Sequence, residues 1–325
     1  MKPLCFAIAM ILALAARAED APLRLVQSIP LPDGRGRIDH LALDRGRQRL
    51  FVAELGNDSV AVVDLAAGKL IGRLSGTAEP QGVVFVPESD RLFVTSGGTG
   101  AVAIFKGADL RSAGQIDLGD DADNIRYDPA SGEAYIGYGD GALGIIAALS
   151  GERLDDIPLA AHPESFQLET AGERIFVNVP RAGHVAVVDR LERTPVAVWP
   201  LVDVRANFPM ALDEAGHRLI VIAREPPTLL VIDTENGKEI ARTDSCGDAD
   251  DVFYDVLRTQ LYVSCGQGFL EVITLRNRAL QRVASIPTAA GARTSLFVPD
   301  EDRLYVAAPR RGEQPAEVLV YQPTS

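Results

Sequence analysis

Basic residues are scarce in this chain. Thirty-two lysines and arginines stand against 45 aspartates and glutamates, a formal net charge of −13 over 325 residues. A surface of that sign cannot release the counter-ions of nucleic acid, so nucleic acid is not expected as a partner, and anionic membranes are disfavoured on the same ground. Long apolar runs are also missing. The most extended, Leu4 to Ala15, is shorter than the roughly 18 residues that cross a bilayer, so no membrane span is expected. Cysteine is rare, at three residues, with no Cys-x-x-Cys spacing and no clustered methionine, which argues against a copper or redox centre. There is no Gly-x-Ser-x-Gly elbow, no Gly-Lys-Ser/Thr phosphate loop, no dinucleotide fingerprint after a strand and no haem-attachment motif. Nucleotide hydrolysis and α/β-hydrolase chemistry are thereby set aside. Apolar residues make up 47 % of the chain, enough for a packed core and too many for intrinsic disorder.

The N-terminal stretch reads as a targeting segment. Lys2 precedes the apolar run, and the small-residue pattern Ala16-Arg17-Ala18 follows it, as in a secretory signal peptide over residues 1–18. Cleavage near Ala18 removes Lys2 and Arg17 and no acid, which moves the formal charge from −13 to −15 and predicts a periplasmic or secreted protein. Cys246 and Cys265 remain, and an oxidising compartment lets them pair. A metal role for the two thiols is the alternative.

Internal repeats decide the fold. Arg49-Leu50-Phe51-Val52 recurs as Arg91-Leu92-Phe93-Val94, Glu133-Ala134-Tyr135-Ile136, Arg174-Ile175-Phe176-Val177, Arg218-Leu219-Ile220-Val221, Gln260-Leu261-Tyr262-Val263 and Arg303-Leu304-Tyr305-Val306. The spacings are 42, 42, 41, 44, 42 and 43 residues, the length of one four-stranded propeller blade. Within each unit, short β-rich runs such as Val60-Ala61-Val62-Val63 alternate with turn residues, and a more polar run suits an outer strand. The seventh unit lacks that outer run, while Val26-Gln27-Ser28-Ile29-Pro30 resembles Val283-Ala284-Ser285-Ile286-Pro287 of the sixth. The expectation is an all-β, seven-bladed β-propeller over residues 19–325, closed by an N-terminal strand that completes the last blade.

Pro80-Gln81-Gly82-Val83, the Arg-Leu-Tyr/Phe-Val words and Val62-Val63-Asp64 resemble the YVTN-type repeat propellers, including the YncE-like periplasmic proteins. The resemblance covers the mature chain. It implies the propeller fold strongly and function weakly, because such propellers include binding scaffolds and enzymes alike. Propeller lyases and lactonases, which carry metal at the ring mouth, are more distant look-alikes.

A propeller gathers the starts of its innermost strands around one axis. Ten residues before each repeat anchor stand His40, Gly82, Asn124, Ser165, Pro209, Asp251 and Thr294; eleven before stand Asp39, Gln81, Asp123, Glu164, Phe208, Asp250 and Arg293. Packing asks for the same residue in each blade, whereas these differ and are rich in groups that ionise or coordinate. With the flanking His162 and Asn207 they predict a polar, acidic site at the mouth of the central channel.

Three readings of that mouth compete. In the first, a divalent cation is the cofactor, held by His40 with some of Asp39, Asp123, His162, Glu164 and Asp250, the set His40, Glu164 and Asp250 foremost, and supports metal-assisted lyase or lactone-hydrolase chemistry with His40 as ligand or general base. In the second, which leads, the mouth binds a small anionic organic molecule or an exposed peptide segment. Arg293 then pairs a carboxylate, Gln81, Asn124, Ser165, Asn207 and Thr294 supply neutral hydrogen bonds, and Phe208 gives an apolar wall. In the third, the acids only cap turns, which suits Asp120, Asp121 and Asp248. His184 and His217 fall in hairpin turns and read as surface residues, and Trp199 reads as packing.

Overall fold

The computed structural model describes residues 21–324, so the proposed signal segment lies outside the described residues. Seven four-stranded antiparallel sheets form a propeller ring. Six sheets run in chain order, and in the seventh Leu23–Pro30 pairs with Glu317–Pro323, antiparallel, so the two ends of the chain share one blade as the repeats predict. The innermost strands are Leu41–Asp44, Pro80–Val86, Ala122–Asp128, Phe166–Leu168, Arg205–Asp213, Ala249–Asp255 and Thr294–Val298. Every repeat anchor begins the second strand of its blade, as in Arg49–Glu54 and Arg174–Val179.

Burial is greatest in the second and third strands of the blades and least in the outer one. The third strand Ser59–Asp64 is buried at five consecutive positions because blades pack on both of its faces, which explains its unbroken Val-Ala-Val-Val run. The outer strand Lys69–Ser75 is mostly exposed. Between blades lie apolar clusters. One joins Ile29 and Val318 of blade 7 to Val52 and Val63 of blade 1, and another joins Val231 of blade 5 to Val263 of blade 6.

The repeats do not reveal how the outer edges are managed. In every blade the outer strand carries a register shift against its neighbour, at Val62/Val63, Ile104/Phe105, Ile145/Ile146, Val187/Val188, Val231/Ile232, Val272/Ile273 and Leu25/Gln27. A bulge there twists the exposed edge and spoils it as a template for another chain.

Cys246 and Cys265 form a disulfide with a Cα separation of 5.8 Å, joining the loop before the sixth inner strand to the end of the strand beside it. The pairing fits an oxidising compartment. Trp199 packs in a tilted arrangement on Phe176, with ring centroids 5.4 Å apart. His184 departs from its surface reading. It opens a third strand, is only 9 % exposed, and burial lowers its pKa.

Two stability outcomes follow. A chain beginning at Leu31 loses the buried Leu23 and Ile29 and leaves the last blade open; thermal unfolding should shift down by roughly 10 °C, with aggregation visible by size-exclusion chromatography. Replacing both Cys246 and Cys265 with serine frees a loop with a sequence separation of 19 residues. That change should lower unfolding stability by about 3 kcal/mol, read from urea titration.

Candidate functional site

The inner strands start at one end of the channel, and there the backbone departs from plain alternation. Register shifts fall between Pro80 and Val83, Ala122 and Ile125, Asn207 and Met210, and Ala249 and Asp251. A β-bulge re-aims neighbouring side chains, so residues from both repeat rows reach the same pit. Its wall consists of Asp39, His40, Asp123, Asn124, Glu164, Ser165, Phe208 and Asp250, together with Arg37. Gly82 is required by close approach, since a Cβ there would lie 2.4 Å from the carbonyl oxygen of Asp123 in the next blade.

The remaining predicted mouth residues tie blades together. Gln81 donates to Asp121 at 3.2 Å. Asn207, fully buried, donates to the Asn178 side chain at 2.8 Å and to the His184 carbonyl at 3.1 Å. Thr294 is buried, with its hydroxyl 3.5 Å from the Ile38 carbonyl. Asp251 lies beneath the pit, where one carboxylate oxygen accepts the Ser295 amide at 2.8 Å.

The pit is less one-sided in charge than the sequence rows suggest. Arg293 is not free for a ligand, because it donates to Asp248 at 2.7 Å and places Nε 3.0 Å from Asp250. Arg224 also pairs with Asp250 and stacks 3.9 Å above the Phe208 ring. Arg37 lies 2.7 Å from Asp39 and 3.7 Å from Asp250. Asp248 therefore holds Arg293 as well as taking a positive φ of 55° in its turn. Counting the inner-strand rows missed Arg37 and Arg224. The signal for Arg224 was present, since the second strand of each blade returns to the same mouth and Arg224 lies near the end of one.

Three ligand-type atoms, one each from Asp123, His162 and Glu164, lie within 4.8 Å of one another. All three belong to the wider candidate set, but the foremost set His40, Glu164 and Asp250 does not converge in that way among the described residues. Asp250 is taken up by arginines. His40 sits between carboxylates, with Nε2 3.6 Å from Asp39 and Nδ1 3.6 Å from Asp251. His162 places Nε2 3.8 Å from Asp123, and its Nδ1 is 2.6 Å from the Gly139 carbonyl. The buried Asn124 Oδ1 beside this group has no hydrogen-bond partner. Cys246, Cys265 and Glu271 also cluster, but the disulfide removes both thiolates as ligands.

Proton affinities reflect this crowding. Burial, then the charges of Asp123 and Asp250, push the Glu164 carboxyl up to about 8. Burial works against charge on His40, but Asp251 and Asp39 outweigh it and raise the imidazole to about 9. Burial likewise opposes charge on His162, yet Asp123, the Gly139 carbonyl and Asp121 raise it to about 9. Burial raises Asp39 and Asp250, against the pull of their cationic neighbours.

No protein-family model and no curated protein matches the chain. Solved structures do. A chain of the Kuenenia stuttgartiensis hydrazine synthase is similar with a TM-score of 0.75 and 18 % identity, over 90 % of this chain and 97 % of that one. A chain of a mitotic checkpoint complex gives 0.78 and 13 %, over 93 % and 92 %. The WD40 repeats of RRP9 give 0.78 and 11 %, over 94 % and 98 %. At such identities the likeness shows the seven-bladed propeller alone.

The three raised groups act on stability in one direction. Each imidazole is raised from 6.5 to about 9, so the stabilisation it brings is complete below pH 6.5 and is lost as pH climbs through 9. Glu164, raised from 4.5 to about 8, also binds its proton more tightly in the folded state, and its contribution fades as pH rises through 8. The melting temperature of chelator-treated protein should therefore fall between pH 6.5 and 9, less steeply in His40→Gln. An unchanged melting temperature across that range would contradict the proton-holding pit.

Proposed function

We propose that this chain is an exported ligand-binding propeller whose mouth takes a divalent cation between Asp123, His162 and Glu164. The observation that carries this reading is the convergence of their ligand atoms within 4.8 Å. The buried, unpartnered Asn124 Oδ1 beside them supports it, as does the assignment of the mouth arginines to Asp39, Asp248 and Asp250. Glu164 is left with no arginine partner within ion-pair distance among the described residues. A mixed imidazole and carboxylate set suits a first-row divalent ion. Binding would displace the protons that Glu164 and the His162 imidazole otherwise hold at neutral pH.

An anionic organic ligand is the partner class that fits above such an ion. Its carboxylate would complete the coordination and meet Arg37, whose side chain remains 42 % exposed. A bound cation in this position is also what metal-assisted lyase or lactone-hydrolase chemistry would require, with the ion polarising a carbonyl. Export is supported by the disulfide and by the signal-like residues 1–18. The repeat words support placement among the YVTN-type, YncE-like propellers.

Elemental analysis of protein purified without chelator, followed by calorimetric titration of stripped protein with Zn²⁺ and Mn²⁺, tests the reading. About one equivalent should bind. The Asp123→Asn, Glu164→Gln double variant should bind at least tenfold more weakly, a loss of about 1.4 kcal/mol or more. His40→Ala should bind as the unmodified protein does. Equal affinity in the double variant, with circular dichroism unchanged, would remove the cation from the mouth.

A further inference from the structure

The far end of the same channel is chemically different. Eight residues before the repeat anchors, five blades place Ala42, Val84, Ala211, Phe253 and Leu296, while the adjacent blades 3 and 4 place Arg126 and Gln167. Every member of this row lines one cavity of about 550 Å³. The cavity runs from His40 and Asp251, at the floor of the charged pit, to Arg45 and Pro299 beyond the far ends of the inner strands. Its size is that of a small-molecule pocket, and its wall mixes apolar side chains with polar ones: Arg126 and Gln167 from neighbouring blades, and His40, Asp251 and Ser295 towards the mouth.

Arg126 is the unusual member. Each arginine of the mouth has a carboxylate within the 4.0 Å ion-pair distance, but among the described residues Arg126 has none. Its Nη1 donates to its own neighbour's carbonyl, Ile125, at 2.9 Å, and its guanidinium lies 5.7 Å from the Phe166 ring. Burial pulls its pKa down, against the attraction of Asp251 and Asp123. A half-buried cation without an ion-pair partner is costly unless an anion joins it. Gln167 donates one amide hydrogen to the Met210 carbonyl at 2.9 Å, and its second is unspent among the described residues.

The geometry points to a second binding site here, for an amphiphilic monocarboxylate. Its carboxylate sits on Arg126 and the Gln167 amide, and its aliphatic or aromatic body lies against Val84, Phe253 and Leu296. A single negative charge is favoured because Asp251 shares the wall and repels a second one. This site is separate from the cation site at the mouth and requires none of its ligands.

The test is calorimetric titration of the folded protein with octanoate, with octanamide and octylammonium as neutral and cationic counterparts of similar shape. Octanoate should bind at one saturable site, and octanamide at least about tenfold more weakly. Octylammonium should not bind. Arg126→Gln should weaken octanoate binding about tenfold or more. Ala211→Phe, which keeps the arginine and fills the cavity, should block binding and guards against misreading a folding defect. Glu164→Gln, which removes a mouth ligand and leaves Asp123 and Asp251 in place, should leave octanoate binding unchanged, which separates this site from the mouth. Absence of saturable octanoate binding, equal binding of octanamide, or unchanged octanoate affinity in folded Arg126→Gln would each overturn the proposal.

Discussion

Seven wedge-shaped sheets can surround a channel only if the first and the last are held together. Here the hydrogen bonds between Leu23–Pro30 and Glu317–Pro323 do this, and the cluster around Ile29, Val318 and Val52 seals the seam between blades 7 and 1. Both ends of the channel depend on that closure. Asp39, Glu164 and Asp250 lie far apart along the chain and line one pit only because the ring brings the inner strands to a common axis. Closure also leaves the exposed edges at the outer rim, where a bulge in every blade protects them.

Around the pit, a second layer of hydrogen bonds fixes one inner strand to the next. Thr95 joins Gly82 to the Asp123 carbonyl, Asn178 donates to the Phe208 carbonyl at 2.9 Å, and Ser264 donates to Ser295 at 2.7 Å. Each of these residues stands near the end of a second strand, beside the mouth. Burying so much charge costs free energy unless the charges are paired. Arginines at 37, 224 and 293 meet Asp39, Asp248 and Asp250, while histidines lie among the remaining acids. The imbalance that is left gathers at Glu164, which burial and two neighbouring carboxylates hold in its protonated form at neutral pH.

The two ends of the channel divide their chemistry along the same short strands. Bulges at the strand starts turn neighbouring polar residues into one pit. Further along, regular pairing resumes, and one row of side chains, apolar in five blades, faces a common cavity. His40 belongs to both linings and, with Asp251, forms the partition between them.

The blade count, the strand order and the borrowed first strand were legible because a propeller repeats one hydrophobic pattern in every blade, and residues Leu50 to Leu304 display that pattern at near-constant spacing. The mouth was legible as a set, since Asp39, His40, Asp123, Glu164 and Asp250 broke the repeat at equivalent positions. The closeness of Cys246 to Cys265 followed from the same register. Direction was not legible. Whether Gln81 or Asn207 faces the pit or a neighbouring blade depends on local bulges, and the bulges depend on how adjacent sheets fit. Nor could the sequence show that Arg224 and Arg293 are spent on Asp250, that Asp123 rather than His40 joins Glu164 and His162, or that Arg126 stands unpaired. Repeat position sets which residues reach the axis; only the packed ring sets the distances between charges from different blades, and those distances determine which groups pair and which remain free.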